Sequence, residues 1–476
     1  MRRLTRRLTA WAAAPATAAL VASAVTAGPA ARAEANPPPG TDLKPVLGWS
    51  SWSFFRQTAD ASTLEAAARA MRRSGLERLG YRYINLDDFW YKCPGKQGPV
   101  VDKYGRWVTR PGKFPPGPGG ENGIAVVAEY VHSLGLKFGI YVTPGISDQA
   151  VKKNTPILGT HHTADQIATA KTQNNYNCGG MTGIDYAKPG AQAYVNSIVD
   201  ELASWGVDYI KLDGITDANK PDIRAWSNGI RQSGRPMQLD VTEGSYTIAL
   251  GPTLDKYATQ WEYSSDIENY GGKGLTNYAN VAKRFTTLKL WEPTYGGQRH
   301  NGYNDFDSVE VGNCDNPVGY KNPFGSVSYP HGDGLSLDGR RTVLSLWALA
   351  SSPFILGTDL SHLCRADLKL LMNRSVISVQ QDGIDASQIS RNATSVVEAK
   401  TEPGGDGIAG LFNTTTRPEV ISTTASAIGL SGDSHGYLLK DLWSNRMRHT
   451  TGKISATVPP HGVALYRVIP LPTPPG

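Results

Sequence analysis

A strand-then-helix alternation, repeated about eight times between residues 44 and 371, restricts this chain to few folds. Short apolar segments typical of strands are each followed by a longer segment with helical spacing of its apolar residues, as in parallel βαβ units. Eight units within about 340 residues favour an α/β fold of the (β/α)8 TIM-barrel type, with insertions, over a doubly wound sheet. We predict the barrel strands at residues 44–49, 81–86, 137–142, 209–212, 237–241, 257–261, 302–309 and 354–356.

The residues after Gln381 and Asp382 follow a different pattern. Six short β-rich segments are separated there by Gly, Pro and Ser, which predicts a small antiparallel β-sandwich. We therefore divide the chain into a catalytic barrel at 44–383 and a C-terminal sandwich at 384–470. A Pro-rich lead-in at 34–43 precedes the barrel, and a Pro-rich tail at 471–476 follows the sandwich.

The first 33 residues have the features of a secretory signal peptide. Four arginines (Arg2, Arg3, Arg6 and Arg7) precede an Ala-rich apolar run, and the small-x-small triplet at 31–33 fits a cleavage site. Cleavage there removes five arginines and lowers the formal net charge from +6 to +1, so the basic composition is partly an export signal and does not indicate nucleic-acid binding. No later apolar run reaches the roughly 18 residues of a membrane span. We predict a secreted protein that binds neither nucleic acid nor membrane.

The four cysteines are compatible with disulfides in an oxidising compartment. Cys93, Cys178, Cys314 and Cys364 lack the spacing of a zinc site, and four cysteines allow three pairings among which the sequence does not choose. The adjacent pair His161 and His162 is a weak candidate for metal binding, because neighbouring loop histidines are more often solvated.

The strand at 209–214 carries charges where a barrel strand is normally apolar. Tyr209, Lys211 and Asp213 share one face of this strand, whereas strands of parallel sheets are usually apolar on both faces. An edge strand with an outward-facing pair would explain the charges, and so would an inward-facing polar active site. Other acids at predicted strand ends favour the active site, namely Asp87, Asp88, Glu243, Asp266, Asp305 and Asp307.

Aromatic residues are interspersed with these acids, including Trp49, Trp52, Trp90, Tyr141, Trp261 and Tyr263. The predicted site has neither a phosphate-binding glycine loop nor a His/Cys metal set. Carboxylates accept hydrogen bonds from hydroxyl groups, and flat rings pack against the apolar faces of pyranoses, so the combination predicts a sugar-binding site. A retaining glycosidase needs two carboxyl groups in such a site, one as nucleophile and one as acid/base.

A series of motifs resembles glycoside hydrolase family 27, the family of α-galactosidases and α-N-acetylgalactosaminidases. LGWSSW at 47–52 is similar to the family's Gly-Trp-Asn-Ser-Trp opening, and GVDYIKLDG at 206–214 is similar to its nucleophile strand. Six further motifs follow the family's order, at 83–90 (YINLDDFW), 139–141 (GIY), 265–267 (SDI), 304–307 (NDFD), 310–313 (EVGN) and 357–360 (GTDL). The resemblance extends from about residue 45 to 468.

The resemblance implies a role for each matching residue. Asp213 would be the nucleophile and Asp266 the general acid/base, while Lys211 would contact the C3 and C4 hydroxyls of the sugar. The remaining substrate-binding residues would be Asp87 and Asp88 at the C4 and C6 hydroxyls, Glu243 at the C2 hydroxyl, Trp49 and Tyr141 in the pocket wall, and Asp307 near its rim. The implied function is a retaining exo-α-galactosidase that acts on oligosaccharides or polysaccharides without metal or cofactor.

Several positions depart from the family pattern. Glu262 stands where members usually have an arginine, and Ser308 replaces a methionine. Phe89 and Ile215 replace the cysteines of the family's active-site disulfide, which leaves Cys93 and Cys178 as candidates for a substitute.

These departures leave the exact sugar open. The same mechanism on another sugar, as in β-L-arabinopyranosidases and isomaltodextranases, and a catalytically inactive carbohydrate-binding protein are the alternatives. The connection of about fifty residues after the third strand lies where barrel enzymes keep their sites, and we expect it to be functional.

Overall fold

The computed structural model describes residues 44–245, 247–292, 294–297, 300–315, 318–321, 328–329, 332–430 and 435–472. The predicted signal peptide, the lead-in at 34–43 and residues 473–476 of the predicted tail lie outside the described residues. Side chains are not described for 243–245, 318–321 and 328–329.

Eight parallel strands form the main sheet. In chain order they are β1 (Leu47–Ser50), β2 (Tyr81–Leu86), β3 (Lys137–Val142), β4 (Tyr209–Thr216), β5 (Gln238–Ser245), β6 (Gln260–Glu262), β7 (Tyr303–Asp305) and β8 (Phe354–Leu356). Their order across the sheet is β7-β6-β5-β4-β3-β2-β1-β8. A parallel bridge joins Val309, just after β7, to Leu356 of β8, and the Val309 amide donates to the Ile355 carbonyl at 2.7 Å. This contact brings the two edges together and confirms the predicted barrel.

Helices connect the strands and cover the outside of the barrel. The first long helix spans Ala61–Ser74, because the Asp60 side chain accepts from the Thr63 amide at its start and Gly75 ends the helix with a φ of 82°. Its apolar face is buried in the main core. The other helices of eight or more residues are Gly123–Ser133, Ala191–Ser204, Lys220–Ser233, Tyr278–Trp291 and Leu337–Leu349. Shorter helices lie at Trp52–Phe55, Asp148–Lys153, Ala164–Ile167, Gly251–Tyr257, Arg365–Leu371 and Arg374–Gln380.

Two predictions in this part of the chain are wrong. Tyr257 was expected to begin a strand, but it ends the helix Gly251–Tyr257, whose first turn contains Pro252, and β6 starts only at Gln260. The predicted alternation ends at residue 371, but a further helix follows at Arg374–Gln380 with Asn373 as its N-cap.

The long connection after β3 is folded. Three short strands, Ile146–Ser147, Ala168–Gln173 and Met181–Ile184, form an antiparallel sheet with the last of them in the centre. A disulfide between Cys93 and Cys178 ties this connection to the segment after β2, and a second disulfide joins Cys314 to Cys364. One of the three pairings left open by the sequence is thereby identified.

The C-terminal region consists of antiparallel strands, as predicted. They are β9 (Ser387–Arg391), β10 (Ser395–Thr401), β11 (Gly407–Asn413), β12 (Glu419–Thr424), β13 (Tyr437–Asp441), β14 (Met447–Thr450), β15 (Lys453–Val458) and β16 (Val463–Pro470). Six form a sheet in the order β9-β10-β11-β16-β13-β14, and β12 pairs with β15. The prediction missed β9 and β14, two edge strands that are largely exposed.

The sandwich packs directly against the barrel. Lys400 of β10 is fully buried, pairs with Asp382 at 2.9 Å and donates to the Ala348 carbonyl at 3.1 Å. These bonds compensate for burying the ammonium group, which would otherwise be costly. Within the described part of the chain, no helix is long and apolar enough to cross a membrane.

Candidate active site

A cavity of about 460 Å³ opens at the C-terminal ends of the barrel strands. Its walls come from the segments after β1, β2 and β6, from β3, β4 and β6 themselves, and from the long connection after β3. The lining residues are Trp52, Arg56, Asp87, Asp88, Tyr141, Tyr176, Asn177, Lys211, Asp213, Glu262, Asp266 and Tyr270. Barrel enzymes keep their active sites at this face.

The structure brings six of the nine predicted site residues together in this cavity. They are Asp87, Asp88, Tyr141, Lys211, Asp213 and Asp266. Lys211 and Asp213 therefore face inward, and the alternative of an outward-facing pair on an edge strand is excluded because β4 lies between β3 and β5.

Of the other three predicted residues, two lie elsewhere and the side chain of the third is not described. Trp49 is fully buried and its indole donates to the Thr358 carbonyl at 2.7 Å, so it does not line the cavity. Asp307 accepts from the Ile267 amide at 2.7 Å and lines a smaller adjacent cavity, which shares Asp87, Lys211 and Glu262 with the larger one. The backbone of Glu243 belongs to β5, but its side chain is outside the described residues.

Lys211 is the positive centre of the inner wall. Its ammonium group lies 2.9 Å from the Asp87 carboxylate. Burial opposes its charge, yet the carboxylates of Asp87 and Asp213 raise the pKa of Lys211 well above its usual value. Lys211 is therefore a permanent cation beside Asp213.

Asp213 is held by its own strand and by the next one. Its Oδ1 accepts from the Gly214 amide at 2.7 Å and from the Thr242 hydroxyl of β5 at 2.9 Å. Burial raises the pKa of Asp213 to about 7, against the opposing effects of Lys211 and of the Thr242 hydrogen bond. Both of these hydrogen bonds use Oδ1, so Oδ2 is the oxygen available to a ligand.

Asp266 lies in a more open environment, in the irregular segment after β6. Its side chain is exposed, and its Oδ2 accepts from the Tyr270 hydroxyl at 2.5 Å. Tyr270 in turn accepts from the indole Nε1 of Trp52 at 2.9 Å. A chain of two hydrogen bonds thus links the segment after β1 to Asp266.

Asp88 is fixed by contacts from three directions. The Phe89 amide, in a residue with a φ of 71°, donates to its Oδ1 at 2.6 Å, and the Asn177 amide donates to its Oδ2 at the same distance. The Tyr91 hydroxyl, which donates to Asn175 Oδ1 at 3.1 Å, also lies close to this carboxyl group, while burial raises the pKa of Asp88 to about 6. The long connection after β3 therefore reaches the cavity through Asn177, next to the disulfide at Cys178.

Glu262, which stands in place of the family's arginine, is a buried carboxyl group. Burial, followed by the charges of Asp307 and Asp266, raises the pKa of Glu262 well above its usual value. Burial and the neighbouring carboxylates therefore both disfavour the ionised form of Glu262. A second cation in the cavity wall is Arg56, whose guanidinium carbon lies 4.4 Å from the ring centroid of Tyr270.

Sequence reasoning missed several of these residues. Trp52 lies inside a motif that was recognised, and Asn177 ends a polar run in the long connection, but neither was assigned a role. Thr242, Arg56 and Tyr270 carry no periodic signal, because their importance depends on contacts with residues on other elements.

Two groups of side chains approach a metal-binding arrangement among the described residues. Oxygens of Glu262, Asp266 and Asp307 lie within 4.8 Å of one another, and so do ligand atoms of Cys314, Cys364 and Asp367. The cysteines of the second group are joined in a disulfide and offer no thiolate, and burial disfavours the ionised form of Glu262 that a metal ion would bind, so neither donor set suits a metal ion. His161 and His162 belong to neither group.

Comparison with known proteins gives one consistent result. The family described as alpha galactosidase A matches residues 44–172 and 159–382, and the alpha galactosidase C-terminal beta sandwich domain matches 393–468. The chain is 25% identical to alpha-galactosidase mel1 of Schizosaccharomyces pombe, covering 90% of this chain and 89% of that one. It is 28% identical to an alpha-galactosidase of Coffea arabica, covering 90% and 95%. The crystal structure of a GH27 β-L-arabinopyranosidase from Geobacillus stearothermophilus superposes with a TM-score of 0.81 at 27% identity, covering 91% and 98%.

Proposed function

The chain belongs to glycoside hydrolase family 27, and we propose that it is a retaining exo-α-galactosidase with Asp213 as nucleophile and Asp266 as acid/base. The observation that carries this proposal is the placement of both carboxylates in one cavity together with Asp87, Asp88 and Lys211. Each is the residue that the family resemblance assigns to this chemistry, and the set matches the two-carboxylate requirement of glycoside hydrolysis.

In the first step, Oδ2 of Asp213 attacks the anomeric carbon while the glycosidic C–O bond breaks. The Gly214 amide and the Thr242 hydroxyl hold Oδ1, so the carboxylate is oriented before the substrate binds. Asp266 transfers its proton to the departing oxygen, and the leaving group departs as an alcohol. Lys211 stabilises the ionised form of Asp213 before the attack.

In the second step, a water molecule replaces the leaving group and attacks the anomeric carbon. Asp266, now ionised, accepts a proton from this water, and the ester bond to Asp213 breaks. Two displacements at the same carbon return the product with the α configuration of the substrate. The cycle needs no metal or cofactor, so EDTA should leave the rate unchanged.

The sugar preference rests on the hydroxyl-binding residues. Asp87, paired with Lys211, and Asp88, paired with Asn177, would accept from the C4 and C6 hydroxyls. Two carboxylates held in fixed positions favour a galactose whose hydroxyls match them over sugars with another stereochemistry. Glu243, on β5 beside the nucleophile strand, would bind a free C2 hydroxyl.

The decisive experiment is the hydrolysis of an aryl α-galactoside by the chain starting at residue 34, followed by proton NMR. We expect α-galactose to appear first and to mutarotate later. Initial release of β-galactose would refute the retaining mechanism, and sugar binding without turnover on a broad panel would indicate an inactive binding protein.

A second candidate is β-L-arabinopyranosidase activity, which the superposition on the Geobacillus stearothermophilus enzyme favours. Its sugar is a galactose that lacks the C6 hydroxymethyl group. Comparing kcat/KM on aryl α-galactoside, aryl β-L-arabinopyranoside and dextran separates these activities and that of an isomaltodextranase. The proposal requires the α-galactoside to be preferred.

We also propose that the enzyme is secreted after cleavage near residue 33. The N-terminal arginines and apolar run support export, and both disulfides are compatible with an oxidising destination. N-terminal sequencing of the exported protein tests this, and an exported product that still begins at Met1 would contradict it.

A further inference from the structure

The cavity, about 460 Å³ in volume, has lining residues beyond those predicted to bind the terminal sugar. Six of its twelve lining residues were not among those predicted to bind the terminal sugar, and three of these are aromatic, namely Trp52, Tyr176 and Tyr270. Tyr176 and Tyr270 are about half exposed, and such aromatic rings in the wall of a polar cavity offer flat apolar surface to a ligand. The cavity therefore has room and surface for a second group.

Tyr270 lies on the side of the cavity where the leaving group must be. Its hydroxyl donates to Asp266 Oδ2 at 2.5 Å. The acid that protonates a glycosidic oxygen has to lie within hydrogen-bond reach of it. The group beyond that oxygen is therefore next to Tyr270.

The ring of Tyr270 is supported by a buried arginine, while about half of the residue is exposed. The guanidinium carbon of Arg56 lies 4.4 Å from its centroid, and Arg56 itself is only 1% exposed. Tyr270, by contrast, is 51% exposed, and its hydroxyl is fixed by the indole of Trp52 at 2.9 Å. A half-exposed tyrosine held at both its face and its hydroxyl is a preorganised surface, which lowers the entropic cost of binding.

We propose that Tyr270, supported by Arg56 and Trp52, is the binding surface for the pyranose ring of the leaving group. The ligand class is a sugar that bears the glycosidic oxygen, and the same surface binds a sugar acceptor when the reaction runs toward transfer. This inference rests on the proposed function, because the leaving-group side is defined by Asp266.

Transfer of the galactosyl group from the glycosyl-enzyme to a sugar acceptor tests binding at Tyr270 separately from protonation of the leaving group. With α-galactosyl fluoride as donor, fluoride leaves without needing a sugar on Tyr270, and the galactosyl ester forms on Asp213. The ester is then attacked either by water or by a hydroxyl of added methyl α-D-glucopyranoside. In both cases the new C–O bond forms, the ester bond breaks, and Asp266 takes the proton, so the ratio of disaccharide to free galactose reports acceptor binding.

The informative comparison is between Tyr270→Phe and Tyr270→Ala. Both variants lose the hydroxyl that contacts Asp266, but only the alanine variant loses the ring. We expect Tyr270→Phe to retain the wild-type product ratio within about twofold and Tyr270→Ala to lower it by roughly fivefold to tenfold, the effect of exposing one ring face. Equal ratios in the two variants would overturn the proposal.

Two controls keep the outcome interpretable. Arg69 donates to the Tyr130 hydroxyl on the outside of the barrel, and its guanidinium carbon lies 5.7 Å from the centroid of the Tyr130 ring. Tyr130→Ala therefore removes another tyrosine that is paired with an arginine, and it should leave the ratio of disaccharide to galactose unchanged. A second variant, Trp52→Ala, should lower the ratio because it frees Tyr270. If the wild type does not release galactose from the fluoride, the proposed function fails. If it does and the ratio is insensitive to Tyr270, only the subsite fails.

Discussion

The two carboxylates proposed for catalysis project into one cavity from parts of its wall that are built differently. Asp213 projects from β4 in the middle of the sheet, and its Oδ1 is bonded by the Gly214 amide and by Thr242 of the neighbouring strand. Asp266 is exposed, follows the short strand β6, and is contacted by a half-exposed tyrosine.

This difference matches the demands of the two proposed roles. A nucleophile attacks one carbon along one direction, and a side chain held by adjacent strands keeps its position. An acid/base has to serve first a leaving group and then water, and a wall made of loop residues can accommodate both. We call the part of the cavity formed by β4 and β5 around Asp213 the strand wall, and the part formed by the segment after β6 around Asp266 the loop wall. Changes in the strand wall should lower the rates on all substrates alike. Changes in the loop wall should lower them to an extent that depends on the leaving group.

Asp213→Ala should have the largest effect. It removes the group that forms the glycosyl ester, so kcat/KM should fall roughly 10⁴-fold or more on both an aryl α-galactoside and a galactosyl disaccharide. Steady-state rates on the two substrates measure this. A variant that keeps full activity on either one would break the assignment of the strand wall.

Asp266→Ala should have a large effect that depends on the leaving group. On a disaccharide, whose leaving alcohol needs a proton, we expect kcat/KM to fall by about 10³-fold, within the usual range for general acid catalysis. On a substrate with an activated aryl leaving group, kcat/KM should fall less than about tenfold, because that group departs without protonation. Equal losses on both substrates would contradict the role of Asp266 as acid.

Removal of the Cys93–Cys178 disulfide should have a moderate effect on substrate binding. The double variant Cys93→Ser/Cys178→Ser frees the segment that holds Asn177 against Asp88, so we expect KM to rise about tenfold with a smaller change in kcat. The matched control removes Cys314–Cys364, which should lower the melting temperature but leave KM unchanged. A similar KM in both double variants would show that the long connection does not shape the site.

Thr242→Val should have the smallest effect at the pH optimum and a clear one on the pH profile. The Thr242 hydroxyl stabilises the ionised form of Asp213, so its removal should raise the pKa of Asp213 further above about 7. Because the nucleophile acts as a carboxylate, activity is lost as the pH falls through this pKa. The acid limb of the pH profile of kcat/KM should therefore move to higher pH by about one unit. This is the size expected for the loss of one hydrogen bond to a charged group.

The control for this change is Thr259→Val. Thr259 is buried just before β6. Its hydroxyl hydrogen-bonds to the amide and the carbonyl of Leu239 near the start of β5, three residues before Thr242. This variant should be less stable but keep the wild-type acid limb. An unshifted limb in Thr242→Val would show that the Asp213 carboxylate does not depend on the hydroxyl.

The sequence predicted the barrel and the strand wall because both follow from regular spacing. The alternating pattern placed Lys211 and Asp213 on one face of their strand, and the acids at the other strand ends favoured an inward face. In the structure these strand ends meet at one end of the barrel, as a parallel barrel requires. Trp49 was placed in the pocket because of its position in a motif, but it is fully buried, its indole donates to the Thr358 carbonyl, and it does not line the cavity. A motif identifies the strand to which a residue belongs, but the direction of its side chain depends on how that side chain packs.

The loop wall was harder to predict because loop residues have no periodic pattern of apolar side chains. Tyr270 and Arg56 meet through contacts between segments more than two hundred residues apart, which local patterns do not encode. The small sheet in the long connection was missed for a related reason. Its edge strand Ala168–Gln173 is largely polar and exposed, so it lacks the apolar alternation of a half-buried strand.

Identification of the residue that carries the covalent intermediate tests the account most directly. The enzyme is incubated with a ring-fluorinated galactosyl fluoride that slows the second step, quenched in acid, digested with trypsin and analysed by tandem mass spectrometry. We predict one galactosyl adduct on the peptide that begins at Leu212, with fragment ions placing it on Asp213, and no adduct in Asp213→Ala. An adduct on another residue, or turnover of unmodified substrate through an inverted product with no adduct, would contradict the account.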